Sequence, residues 1–103
     1  MLSAEIKFDN IPVLEGIEEY IKQNAIPGGT NRNWKSFESK TGTLTENQKL
    51  ILADPQTSGG LLVAIDENDI PSLIEISNLA GIEIHEIGIF TKAGGQEKMI
   101  KID

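Results

Sequence analysis

Asp54-Pro55-Gln56-Thr57-Ser58-Gly59-Gly60 runs directly into Leu61-Leu62-Val63-Ala64-Ile65, and the fold turns on how that junction is read. Asp before Pro favours a fixed turn, Thr and Ser add hydroxyls, and paired glycines permit backbone conformations closed to residues with a Cβ. The apolar run that follows is bounded by Gly60 and Asp66 and suits a strand buried on both faces, central in its sheet. Two readings of the loop stand side by side. In one, the Thr57 and Ser58 hydroxyls and the Gly59 and Gly60 amides form an anion-facing nest for a phosphate; in the other, the run is a tight turn leading into the strand. It is not a P-loop, because the Lys and the helix after the glycines are absent.

Downstream, Asp69 is placed to cap a helix with Pro71 in its first turn. Ile70, Leu73, Ile74 and Leu79 form its apolar stripe, and Gly81 ends it. Glu83 to Thr91 is rich in Ile and reads as a strand with an irregularity near Gly88. Ala93-Gly94-Gly95-Gln96 is expected to turn the chain, and Lys98 to Ile102 to return as a terminal edge strand.

Upstream, Ser3 to Asp9 alternates, with Ala4, Ile6 and Phe8 on one side of a strand. Leu14, Ile17 and Ile21 predict a helix over 14–23, with Glu18 and Lys22 paired on its exposed side. Pro27-Gly28-Gly29-Thr30-Asn31-Arg32-Asn33 is a run of turn formers expected to interrupt regular structure, followed by a long loop from Trp34 to Thr45 with at most one helical turn. Thr45 and Gln48 match a capping box for a short helix ending near Leu52. The element order implies an α+β fold, a mixed β-sheet flanked by helices.

Composition narrows the chemistry. With 103 residues the chain suits one domain, and 39% hydrophobic residues with five aromatics predict a modest core of Ile, Leu and Val. The formal charge is −7, from 16 acidic against 9 basic residues, and Arg32 is the only arginine. Nucleic acid is therefore not an expected partner, since phosphate neutralisation needs clustered Lys and Arg. No membrane association is expected either: no apolar run nears the ~20 residues of a span, and the N-terminus lacks signal-peptide regions. A cytoplasmic location is the simplest expectation.

With no cysteine and one histidine, His85, the chain has no thiolate nucleophile, no thiolate metal site and no multi-histidine site. His85, between Glu83 and Glu86, reads as structural or exposed. Glu15, Glu18 and Glu19 read as a solvated helix face, and Trp34 and Phe37 as anchors of the long loop. Gly28, Gly29, Thr30 and Arg32 are secondary candidates for phosphate contact, with Arg32 the one guanidinium available, or they simply turn the chain.

Taken together, Pro27-Gly28-Gly29-Thr30 with Arg32-Asn33, then Leu52 to Ala64 containing Asp54-Pro55-Gln56-Thr57-Ser58-Gly59-Gly60, resemble the C-terminal part of selenophosphate synthetase, a family also called selenide, water dikinase. The resemblance covers about residues 3 to 91, and Lys92 to Asp103 depart from it. It implies the C-terminal domain of the aminoimidazole ribonucleotide synthetase-like superfamily, incomplete, so that residues 1–103 form a single C-terminal domain fragment. The activity implied for the complete enzyme converts ATP, selenide and water to selenophosphate, AMP and phosphate, with magnesium required.

The family's selenide-handling Cys or selenocysteine, catalytic Lys, glycine-rich ATP loop and most metal-binding aspartates lie in an N-terminal half that this sequence does not contain. The chain alone is thus expected to be inactive, with no cofactor of its own and no catalytic or metal-binding residue. Its expected partners are the N-terminal ATP-binding half and further copies of itself. The resemblance makes Asp54, Gln56, Thr57, Ser58, Gly59 and Gly60 the candidate cleft-facing loop, with Gly28, Gly29, Thr30 and Arg32 as second candidates, their role being support of a phosphate or of the closed cleft. Two other readings are a stand-alone non-catalytic module of the same fold and a piece of a related ATP-dependent ligase or kinase, which Gln56-Thr57 disfavours.

Overall fold

The alternation at the N-terminus produces the centre of the sheet rather than its margin. In a computed structural model that describes residues 1–94 and 98–103, β1 (Leu2–Ile6) lies between β2 (Gly88–Lys92) and β3 (Ile100–Ile102), in the order β2-β1-β3. β1 pairs antiparallel with β2, Ala4 opposite Phe90, and parallel with β3, Ala4 opposite Ile100. The sheet is therefore mixed, and with four α-helices among the described residues the α+β expectation holds. The terminal strand is at an edge, as its sequence suggested.

Leu61 to Ile65 corrects the expected central strand. The segment joins no strand; Leu61 is 95% and Leu62 81% exposed. An apolar run reports suitability for burial, whereas a strand also requires a partner about 4.8 Å away, and β1 occupies the middle position. Likewise β2 begins only at Gly88 rather than at Glu83. A Cβ at Gly88 would overlap the Glu5 carbonyl oxygen, so this glycine is what lets the two strands close up. Of the turn expected at 93–96, residues 95 and 96 lie outside the described residues.

The second correction is α2. Gly29–Phe37 is a nine-residue helix where turn formers predicted a loop. Pro27 precedes it, its carbonyl accepting from the Thr30 N–H at 3.1 Å. The inward line is Thr30, fully buried, then Asn33 and Trp34, half-buried, and Phe37 at its edge. That is helical spacing, i, i+3, i+4, i+7, but two of its four members are polar, so hydropathy did not register it.

The remaining helices follow their signals more closely. α1 (Ile17–Lys22) starts later than Leu14 because Gly16 sits at φ +88°, outside helical geometry, and Lys22 pairs with Glu19 at 3.9 Å instead of with Glu18. α3 (Glu46–Leu52) carries the expected capping box: the Gln48 N–H donates to Thr45 Oγ1 at 3.2 Å, and the Thr45 N–H to Gln48 Oε1 at 3.0 Å.

α4 (Ile70–Leu79) ends at Gly81, φ +68°, with the Ile82 N–H donating to the Ser77 carbonyl at 2.8 Å. This is the six-to-one bond of a Schellman stop. Asp69 makes no side-chain cap; Asp66 caps the preceding 3-10 turn, its Oδ1 accepting from the Asn68 N–H at 2.9 Å. The shielded line of α4 is Ile70, Leu73 and Ser77, while Leu79 is 83% exposed.

One face of the sheet meets α2 and α3 across an apolar groove of about 320 Å³, lined by Ile6, Trp34, Phe37, Leu52, Ile100 and Ile102 among others. Trp34 anchors its segment there, with Lys49 Nζ 5.7 Å from the ring centroid. Among the described residues no helix is long and apolar enough to cross a membrane.

Candidate functional site

The end of α3 delivers the chain into Asp54 to Gly60, and the start of α2 lies against that loop. The contact is made by Gly29. A Cβ there would come within 3.0 Å of Pro55 Cγ and 3.1 Å of Pro55 Cβ, so the absence of a side chain allows the helix start to approach the proline ring. The same point is 3.7 Å from Arg32 Nη2, which puts the chain's one guanidinium beside the junction. One turn further along α2, Asn33 Nδ2 donates to the Ala53 carbonyl at 2.9 Å in a part-buried setting. This satisfies a carbonyl that α3 leaves unpaired at its end. The two stretches singled out in the sequence are thus joined in space by Gly29, Pro55, Asn33 and Ala53.

Within the loop, Gln56 Nε2 donates to Asp54 Oδ2 at 3.3 Å, closing the first half on itself. Gly59 lies close to the same glutamine: a Cβ there would stand 2.8 Å from Gln56 Oε1. Thr57, Ser58, Gly59 and Gly60 are exposed, and neither hydroxyl has a protein partner among the described residues. None of Gly28, Gly29, Gly59 and Gly60 has a positive φ, so these glycines serve close approach and open access rather than left-handed backbone. Thr30 differs from its neighbours: it is wholly buried, and its Oγ1 has no hydrogen-bond partner.

Chemically, the junction offers amides at a helix start, one guanidinium and two free hydroxyls, all donors suited to an anionic oxygen. Among the described residues no group of three His, Cys, Asp or Glu is placed to hold a metal ion. His85 lies elsewhere, half-exposed and 3.7 Å from Glu83 Oε1. Sequence reasoning missed Pro55 and Asn33 as the tie between the two stretches. The available signal was Asn33 following Thr30 by one helical turn, hidden by the reading of 27–33 as a turn.

No family model matches the chain. It is, however, 52% identical over 87 residues to "Selenide, water dikinase" of Haemophilus influenzae (strain 86-028NP), covering 84% of this chain and 25% of that protein. The protein of the same name from Pasteurella multocida (strain Pm70) is 47% identical over 90 residues, 86% of this chain and 26% of its own length. That from Cronobacter sakazakii (strain ATCC BAA-894) is 39% identical over 101 residues, 98% of this chain. The similarity therefore extends past Thr91 into the last strand, further than the motifs alone indicated. The chain spans between a quarter and three tenths of the length of these relatives. Over nearly all of its length, this chain belongs to the selenide, water dikinase family and corresponds to a C-terminal portion of its members.

Proposed function

We propose that this chain is the C-terminal portion of a cytoplasmic, ATP-dependent selenophosphate synthetase, an enzyme that converts ATP, selenide and water to selenophosphate, AMP and phosphate. The observation that carries the reading is the meeting of Gly29 and Pro55, which unites the two stretches that resemble the family. In this reading Asp54, Gln56, Thr57, Ser58, Gly59 and Gly60 face the cleft, and Gly28, Gly29, Thr30 and Arg32 are second candidates, in support of a phosphate or of the closed cleft, with Thr30 buried and so confined to the structural share.

The chain's own chemistry sets the limit of its share. Selenide, a soft nucleophile, is best handled by a thiolate or selenolate, and there is no cysteine. Among the described residues no three carboxylates are gathered to hold magnesium without help from other residues or from a nucleotide's phosphates. ATP and magnesium are therefore assigned to the N-terminal ATP-binding half, the partner in this reading, and the isolated chain is catalytically inactive.

The test is a chimera in which this chain replaces the matching segment of the Haemophilus influenzae enzyme. Selenide-dependent AMP release is expected from the chimera and not from the chain alone. A folded chimera without activity, or turnover by the chain alone, overturns the proposal. A second reading, a non-catalytic module that associates with itself, is favoured by the extent of exposed apolar surface, including Leu61, Leu62, Ile76, Ile89 and Phe90.

A further inference from the structure

The loop from Ala53 to Gly60 has a fixed base and an open tip. At the base, the Ala53 carbonyl accepts from Asn33 Nδ2 at 2.9 Å, and Pro55 packs against the space that Gly29 leaves by having no Cβ. At the tip, Thr57 and Ser58 are exposed, and neither hydroxyl has a protein partner among the described residues. An exposed tip without bonds of its own samples many positions. Whatever spans base and tip therefore sets where the two hydroxyls stand.

Gln56 spans them. Its Nε2 donates to Asp54 Oδ2 at 3.3 Å, on the base side, and its Oε1 lies 2.8 Å from where a Gly59 side chain would begin. Gly59 has no positive φ, so its backbone suits alanine, and what excludes a Cβ there is the carboxamide of Gln56. Its neighbour Gly60 also lacks a positive φ, and a Cβ on it would meet nothing within 4 Å.

We propose that Gln56 is a positioning residue: its carboxamide, seated between Asp54 and Gly59, braces the loop so that the Thr57 and Ser58 hydroxyls are presented together to an anion. Asp54 and Gly59 act through that brace. The effect on turnover rests on the reading of this loop as part of a selenophosphate synthetase cleft, whereas the brace itself does not.

The chemistry of the side chains supports this division of roles. A carboxylate only accepts, so it has nothing to donate to a phosphate oxygen, while the hydroxyls of Thr57 and Ser58 do. Turned toward Gln56, the Asp54 carboxylate has a donor of its own and serves as the anchor of the brace. An exposed bond of this kind adds little to global stability, so its loss shows as misplacement of the tip rather than as unfolding.

Nuclear magnetic resonance on this chain reads the brace directly. The side-chain amide signals of Gln56 are expected to shift when Asp54→Ala removes their acceptor, and to shift likewise in Gly59→Ala, where the new methyl displaces Oε1. Asp54→Asn, which keeps an accepting oxygen, and Gly60→Ala, whose methyl enters open space, are expected to hold them near their natural positions. Signals unmoved by Gly59→Ala, or moved as far by Gly60→Ala, overturn the proposal.

The chimera with the Haemophilus influenzae enzyme reads the positioning, as kcat/KM for ATP per folded enzyme. Gln56→Ala and Gly59→Ala are each expected to lower it about tenfold. The double variant is expected to lower it no further, because with Gln56 cut back to its Cβ the new methyl meets only an ordinary contact at 3.7 Å. A merely structural Gln56 leaves kcat/KM of the folded enzyme unchanged, and a Gly59 kept bare for the approach of ligand gives losses that multiply to about a hundredfold. Either result overturns the proposal. The amide signals decide the brace whether or not the chimera turns over, which separates its failure from failure of the functional reading.

Discussion

Thr30 and Asn33 show how a single polar atom decides local stability in this chain. Thr30 Oγ1 is buried without a partner, an arrangement that costs about 1–3 kcal/mol relative to a satisfied hydroxyl. Thr30→Val keeps the shape and removes the unpaired oxygen, so chemical denaturation should show a gain of about 1 kcal/mol. A loss would mean that the hydroxyl has a partner in solution. Asn33 is the opposite case. Asn33→Ala strips the Ala53 carbonyl of its donor, and the same measurement should show a loss of about 1–2 kcal/mol. In the chimeric enzyme that substitution should also disturb the loop after Ala53 and raise KM for ATP, since α2 would no longer fix where the loop begins.

Among the elements, α3 was legible because its start is encoded in two side chains: Thr45 and Gln48 satisfy each other's backbone N–H groups without help from the rest of the fold. Thr45→Ala should cost about 1 kcal/mol in thermal or urea unfolding. The stop of α4 at Gly81 was legible for the same local reason. α2 was not. Its inner line mixes Thr30 and Asn33 with Trp34 and Phe37, and a turn-rich opening outweighed that pattern. Leu61 to Ile65 erred in the other direction, since its composition called for burial that no neighbouring strand supplies. Hydrogen exchange separates the cases: amides of β1 that bond into the sheet should be protected, and those of 61–65 should exchange at nearly unprotected rates. Protection of 61–65 equal to that of β1 would show that the segment pairs in solution.

At the scale of the molecule, the radius of gyration of 15.4 Å exceeds the roughly 13 Å expected for a compact chain of this length. A chain so open buries little surface on folding, and the denaturant slope reports that surface. Dilute, unpaired protein should therefore unfold with a urea slope near the low end for small proteins, about 1 kcal/mol/M. If two copies pair, the midpoint should rise with protein concentration, because association stabilises only the folded form. A steep slope at all concentrations would indicate a compact monomer instead.

The sequence by itself determined what depends on neighbours along the chain or on composition: the capping box of α3 and the glycine stop of α4, the lack of any cysteine thiolate, the α+β class and the likeness to selenophosphate synthetase carried by 27–33 and 52–64. Each rests on residues a few positions apart or on a property summed over the whole chain. Tertiary structure alone decided that β1 takes the centre of the sheet, that Gly29 meets Pro55, and that the junction of α2 with the 54–60 loop is tied by Asn33. Those outcomes depend on which distant segments compete for one partner, and hydrogen-bond pairing between segments far apart in the chain is not written in the periodicity of either one.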